Sequence, residues 1–299
     1  MMQPLQGSLV ALVTPMLEDG SLDFNALEAL IEWHIESGTN GIVSVGTTGE
    51  SATVSVSEHL KIINKTINFV NGRVPVIAGT GGNSTQEAIE LTQTAAELGA
   101  DFALLVTPYY NKPNQEGLFQ HFIKIANATD IPQILYNVPS RTACDLMPET
   151  VIRLANHQNI VGIKEALGSS ERLSELIKIS QSIADQKKFL VFSGDDPTFN
   201  SFMANGGDGV ISVAANVVPS YISQICSLNL SDQFDEAKEL NSILENLYEL
   251  LFVESNPIPV KWMLNKMKKI QSGIRLPLVP YNEVFHEKTI NEMIKLKLI

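Results

Sequence analysis

One lysine in this chain stands where lysines are rarely found. Lys164 ends the run Ile160-Val161-Gly162-Ile163-Lys164-Glu165-Ala166, apolar up to that point. An unpaired buried ammonium is costly, so burial lowers the lysine pKa from its ordinary ~10.4. An amine that is neutral near pH 7 attacks ketones and forms imines. The alternative is an ion pair with Glu165 or with another carboxylate at a rim. Adjacent strand residues point to opposite faces, which speaks against Glu165 as that partner. Tyr136 lies one apolar run earlier, at similar depth. It is either a proton relay beside the amine or a core aromatic with a satisfied hydroxyl.

Other polar residues collect after the apolar runs. Thr47 and Thr48 lie in Gly46-Thr47-Thr48-Gly49-Glu50, a Gly-flanked loop expected to lead into a helix. Hydroxyls and backbone N–H groups there suit a carboxylate, or serve as ordinary turn chemistry. Arg141, in Val138-Pro139-Ser140-Arg141-Thr142, is either a fork for a substrate carboxylate or a surface arginine. Gly79-Thr80-Gly81-Gly82, Tyr109-Tyr110 and Gly194-Asp195-Asp196 occupy corresponding places.

Eight apolar runs have to position these residues. They are Leu9–Val13, Gly41–Val45, Val74–Ala78, Phe102–Val106, Gln133–Tyr136, Ile160–Lys164, Phe189–Ser193 and Gly209–Ser212. Each is nearly continuous in apolar residues, as strands buried on both faces are. Their starts lie 20 to 33 residues apart, the length of a strand–helix unit. Amphipathic helices are expected between them. Asn25–Glu36 and Ser84–Leu98 are two, the second with Ser84 and Glu87 as a capping box, and Gly38 and Gly99 are the glycines expected to end them. Eight such units predict an α/β fold, a (β/α)8 TIM barrel; an open doubly wound sheet is the alternative. Beyond Pro219 helices alone are predicted, over Tyr221–Leu228, Asp232–Phe252, Pro257–Lys268 and Glu283–Leu298. The expected division is a catalytic barrel over 1–225 and a C-terminal helical extension over 226–299.

Composition excludes several classes. The 299 residues are 44% hydrophobic and 18% charged, with a net charge of −12. Such an acidic chain repels phosphate backbones, so no nucleic-acid partner is expected. Cys144 and Cys226 are the two cysteines, too few for a disulfide framework, and read as reduced thiols of a cytoplasmic protein. The N-terminal stretch makes a poor signal peptide, and no run is long enough to span a membrane. His34, His59, His121, His157 and His286 show no metal-ligand spacing, so no metal is expected. The segment Gly79–Ser84 fails the dinucleotide-binding glycine pattern at its last position.

Five motifs occur in order at barrel spacing: Gly46-Thr47-Thr48-Gly49-Glu50-Ser51, Thr107-Pro108-Tyr109-Tyr110-Asn111, Tyr136-Asn137-Val138-Pro139-Ser140-Arg141-Thr142, Gly162-Ile163-Lys164-Glu165-Ala166 and Gly209-Val210-Ile211-Ser212. Together they resemble the dihydrodipicolinate synthase family of pyruvate-dependent class I aldolases. The resemblance implies a lyase of lysine and diaminopimelate biosynthesis. Such an enzyme condenses pyruvate with L-aspartate 4-semialdehyde to 4-hydroxy-tetrahydrodipicolinate. No cofactor is implied beyond a covalent pyruvyl imine on Lys164. Tyr136 would donate and accept protons, and Thr47 would link it to Tyr110, supplied by a neighbouring subunit of a homotetramer built from two tight dimers. Thr48 and Ile211 would contact pyruvate, Gly194 would border the substrates, and Arg141 would hold the semialdehyde carboxylate. An inhibitory L-lysine site would fall on Ser51, Ala52, His59, Asn83, Glu87 and Tyr109. Val56 departs from that pattern, since lysine-sensitive bacterial members often carry histidine there.

Two rival readings follow. One is another class I pyruvate lyase, such as N-acetylneuraminate lyase or a 2-keto-3-deoxy sugar acid aldolase. Ser140-Arg141 with Thr47-Thr48 separates the two, because a guanidinium suits a short anionic aldehyde better than a polyol. The other is a catalytically dead barrel acting as a binding subunit, against which the presence of all four catalytic positions argues.

Overall fold

Eight parallel strands form in the predicted places: β1 (Gly7–Ala11), β2 (Gly41–Ser44), β3 (Val76–Gly79), β4 (Phe102–Val106), β5 (Gln133–Asn137), β6 (Ile160–Glu165), β7 (Leu190–Ser193) and β8 (Gly209–Ser212). They hydrogen-bond in sequence order, and β8 pairs back onto β1 to close a barrel. The open-sheet alternative is thereby excluded. The computed structural model describes residues 5–299. β3 starts at Val76 rather than Val74, since Pro75 has no N–H to give a ladder and contributes its carbonyl to Ile42 instead.

Leu9, Val43, Ile77, Leu104, Ile134, Phe192 and Ile211 pack together as one buried cluster. Their alternate neighbours along the strands, such as Val10, Ile42, Leu105 and Leu135, pack in the clusters shared with the surrounding helices. β6 departs from simple alternation. Val161 packs against the first cluster, so in an unbroken strand Lys164, three residues on, would face outward. The register against β5 shifts between Gln133 and Ile134, which pair with Ile160 and Gly162. That irregularity turns Gly162 and Lys164 inward. A Cβ at Gly162 would lie 2.6 Å from the Leu190 carbonyl oxygen, so glycine alone fits there.

The predicted helices form as Phe24–Glu36, capped by Asp23, and Thr85–Glu97, capped by Ser84. The capping box expected at Ser84 and Glu87 is half made: Ser84 Oγ accepts from the Glu87 N–H at 3.4 Å, without a return bond. Ser55 and Glu58 form the reciprocal version at the start of Val56–Val70. Gly38 and Gly99 do end helices, with φ of 85° and 94°.

The C-terminal region is helical, with one correction. The single helix expected over Asp232–Phe252 is two, Phe234–Ser242 and Glu245–Leu250. The chain turns at Ile243-Leu244, which brings both Leu244 and Leu247 into the core. Leu244, Tyr248, Val260 and Met263 share one apolar cluster with Val13, Val213 and Val217 of the barrel. The extension is therefore part of the barrel's core, and position 225/226 falls inside helix Pro219–Leu230. No helix among the described residues is long and apolar enough to cross a membrane.

Candidate active site

The C-terminal ends of the strands open into a cavity of about 560 Å³. Its walls include Thr47, Thr48, Tyr136, Arg141, Lys164 and Gly194. Residues from the ends of four strands, β2, β5, β6 and β7, thus converge on one space, the usual place for barrel chemistry.

Lys164 is 5% exposed and faces the cavity. Glu165, its neighbour, faces away and accepts from Asn137 and Arg172, so it is not the lysine's partner. Burial pushes the Lys164 amine down to about 7; the charge of Asp196 opposes this and that of Arg141 adds to it. The Asp196 carboxylate is itself committed elsewhere, accepting from Ser212 Oγ at 2.6 Å and from the N–H groups of Val213 and Ala214. Tyr136 is the register partner of Lys164 on β5, and Lys164 Nζ lies 4.3 Å from its ring centroid. Burial raises the Tyr136 phenol above its ordinary value, while Arg141 and the Thr47 hydroxyl, a hydrogen-bond partner, act against that rise. The phenol therefore carries its proton at neutral pH.

Thr47 and Thr48 do not lead straight into a helix as expected. They sit in successive turns closed by bonds from the N–H groups of Gly49 and Ser51 to the Gly46 carbonyl, and the next helix starts at Val56. Gly49 is required there, because a Cβ would approach Val45 Cα to 2.9 Å. Gly194 leaves room for the amine side chain: a Cβ there would sit 2.7 Å from Lys164 Cε.

Two predicted site residues are not brought into the cavity wall. Ile211 is buried with Tyr136 in the barrel interior rather than in the cavity lining. Tyr110 stands away from the cavity, 90% exposed, with φ of 73°. Of the six positions assigned to a lysine site, Ser51, Ala52 and Tyr109 line a second cavity of about 490 Å³, which Thr47, Arg141 and Asn256 separate from the first. Asn83 donates to the Tyr109 carbonyl at 3.3 Å, and His59 Nε2 lies 2.7 Å from the Gly79 carbonyl. Glu87 acts electrostatically on both His59 and Tyr109. Val56 is exposed.

The sequence reading missed Asn256. It comes from the extension, with Phe252, Val253, Glu254 and Ser255, as one wall of the main cavity. Its Nδ2 donates to Thr48 Oγ1 at 2.9 Å, and its buried Oδ1 lacks a protein partner. The polar stretch Glu254-Ser255-Asn256 between two apolar helices is the one signal that marks it. Among the described residues, no group of three or more His, Cys, Asp or Glu is placed to hold a metal ion.

Fold and site together define a (β/α)8 barrel enzyme with a buried amine beside a phenol at its mouth. The chain belongs to the dihydrodipicolinate synthetase family, whose model matches residues 4–296. It is 57% identical over 281 residues to a 4-hydroxy-tetrahydrodipicolinate synthase of Teredinibacter turnerae, covering 94% of this chain and 95% of that protein. It superposes with a TM-score of 0.95 and 53% identity on the chloride-inhibited dihydrodipicolinate synthase of Acinetobacter baumannii complexed with pyruvate, covering 99% of this chain and all of the other. The enzyme of Cyanidioschyzon merolae with lysine bound is also similar, at 37% identity and a TM-score of 0.92, covering 98% of this chain and 99% of that one.

Proposed function

We propose that this enzyme is a 4-hydroxy-tetrahydrodipicolinate synthase, condensing pyruvate with L-aspartate 4-semialdehyde through an imine on Lys164. The observation that carries the reading is the buried Lys164 amine, lowered to about 7 by burial, in a cavity it shares with Tyr136 and Arg141. The neutral amine attacks the pyruvate ketone carbon, and water leaves as the C=N bond forms. The protonated imine draws electrons, so a methyl proton leaves and an enamine carbon is exposed. That carbon attacks the aldehyde, whose oxygen takes a proton to become the 4-hydroxyl. The semialdehyde's own amine then displaces Lys164 from the imine carbon, closing the ring and freeing the enzyme.

Tyr136 is positioned to pass these protons, with Thr47 as its hydrogen-bond partner. Arg141 is the fork for the semialdehyde carboxylate. Thr48 orients pyruvate at the cavity wall, Gly194 leaves room for the imine, and Ile211 supports the cavity floor. Tyr110 completes the relay from a neighbouring subunit, which accounts for its exposure and its distance from the cavity of its own chain. A homotetramer of two tight dimers supplies that neighbour. The second cavity, with Ser51, Ala52 and Tyr109, is the proposed entry for L-lysine. A titration of lysine into the assay that stays flat at millimolar levels removes that part of the reading.

The named relatives are synthases, which favours this activity over that of a sugar-acid lyase. The test is a coupled assay with pyruvate and aspartate semialdehyde, run beside N-acetylmannosamine as the rival acceptor. Turnover with the semialdehyde alone is expected. Turnover with the sugar alone defeats the assignment.

A further inference from the structure

Behind Lys164, on the outer side of the barrel, four side chains form one connected group. Asn137 and Glu165 immediately follow Tyr136 and Lys164 and pair with each other across β5 and β6. Asn137 Nδ2 donates to Asp145 Oδ1 at 2.8 Å and to Glu165 Oε2 at 3.0 Å, while its Oδ1 accepts from the Leu146 N–H at 2.9 Å. Arg172, in the first turn of helix Ser170–Ser182, sets its fork on both Asp145 oxygens at 2.9 and 2.8 Å. The same guanidinium reaches Glu165 Oε2 at 3.2 Å. Asn137, Glu165 and Arg172 are buried, and Asp145 is partly so.

Backbone ladders already hold Tyr136 beside Lys164. What the group adds is closure of the segment between Asn137 and Leu146. Both ends of that segment are fastened to the same point, directly behind the lysine. Arg141 stands midway, in the short helix Pro139–Thr142. None of the four side chains lines the main cavity, so whatever they do to the reaction passes through residues that do.

We infer that Asn137, Asp145, Glu165 and Arg172 are positioning residues that set where Arg141 stands over Lys164. A buried guanidinium bridging two carboxylates fixes direction as well as distance, which a lysine at the same place does not. The inference rests on the proposed role of Arg141 in holding the aldehyde substrate's carboxylate.

The test compares Arg172→Ala and Arg172→Lys with the wild-type enzyme. The KM for the semialdehyde is expected to rise roughly tenfold or more, since small misplacements of a binding group cost on that scale. The KM for pyruvate, and borohydride trapping of pyruvate on Lys164, are expected to stay close to wild type. Arg141→Ala is expected to show the same split, and free guanidinium is expected to lower the raised KM of Arg172→Ala. If Arg172→Ala does not fold, Arg172→Lys, which keeps the cation and loses the fork, carries the comparison. Equal changes for both substrates, or a wild-type split in the folded variants, overturn the inference. A wild-type enzyme that neither traps pyruvate nor uses the semialdehyde would instead overturn the functional reading on which it rests.

Discussion

Lys164 Nζ stands 4.3 Å from the centre of the Tyr136 ring, the two residues being register partners on adjacent strands. A neutral amine over an aromatic face has no need of a counter-ion. The carboxylate next in sequence, Glu165, is engaged on the other side of the strand. The proposed nucleophile and its proposed proton donor thus share one cavity wall, with burial lowering the amine and raising the phenol.

The first prediction is a pH profile. Because burial holds the Lys164 amine at about 7, the rate of imine trapping with pyruvate should climb as pH rises through that value and then level off. An ordinary lysine would give a rate still climbing toward ~10. The same shift has a stability consequence. Folding disfavours the charged amine, so the cost of Lys164 is full below about 7 and fades as pH rises toward the ordinary lysine value of 10.5. Lys164→Met should therefore abolish trapping and raise the melting temperature most in mild acid. A stability gain that is the same in mild acid and at about pH 10 contradicts the buried-amine account.

Gly194→Ala tests the space around that amine. Its backbone is not in a glycine-only region, but the new Cβ would meet Lys164 Cε at 2.7 Å and Ala166 Cβ at 3.0 Å. The lysine chain is flexible and can give way, so the variant should fold. Its amine will then be displaced, and trapping should slow by about 10²-fold, the scale expected of a misplaced reacting group. Mass spectrometry of the trapped adduct against time, beside a melting curve, separates displacement from unfolding. Wild-type trapping kinetics would refute the proposed crowding.

How far this site was legible in the sequence depends on the residue. Lys164 stood out because a charged group ending an apolar run must face something polar, whereas Tyr136 read equally as a core aromatic until its place beside Lys164 was known. The strands were readable because both faces are buried and their runs are unbroken. The irregularity in β6 was not readable. It arises where Gly162 fits against the Leu190 backbone, and without it simple alternation from Val161 would turn Lys164 outward. Asn256 was hidden for a different reason: it lies 208 residues from Thr48, which it contacts, and no local pattern reports a contact across that distance. The break at Ile243-Leu244 has no glycine or proline to mark it; the core's demand for Leu244 and Leu247 decides it.

Tyr110 leads to a complementation experiment. It is 90% exposed and outside its own cavity, so the proposed relay needs it from a neighbour. Tyr110→Phe and Lys164→Ala should each be nearly inactive alone. In a mixed dimer, the site holding the intact lysine receives the intact tyrosine from the other chain. Random mixing makes about half the dimers mixed, each with one whole site, so roughly a quarter of wild-type activity should return. Activity no greater than the sum of the two parents would show that Tyr110 does not act across the interface.

The last prediction concerns the tie between the Thr47-Thr48 turn and the C-terminal extension. Glu50 ends that turn with φ of 58°, is buried, and pairs with the equally buried Lys261. Its other oxygen accepts from the Arg275 N–H at 3.2 Å, and the Arg275 side chain reaches on to Glu58. Burial lowers the Lys261 amine, and the charge of Glu50 opposes that shift. Lys261→Met removes one partner and leaves a buried carboxylate behind, which typically costs about 3–5 kcal/mol. For a chain of this size that is a fall in melting temperature on the order of 10 °C. Adding Glu50→Gln removes the stranded charge, so the double variant should recover most of the loss, as neutral replacements of buried pairs commonly do. The turn also carries Thr48, held by Asn256 of the same extension, so the single variant should raise the KM for pyruvate and the double variant should bring it back down. Melting curves and pyruvate kinetics on the three proteins decide the matter. If Lys261→Met melts with the wild type, Glu50 is not dependent on it, and the extension holds the turn by packing alone.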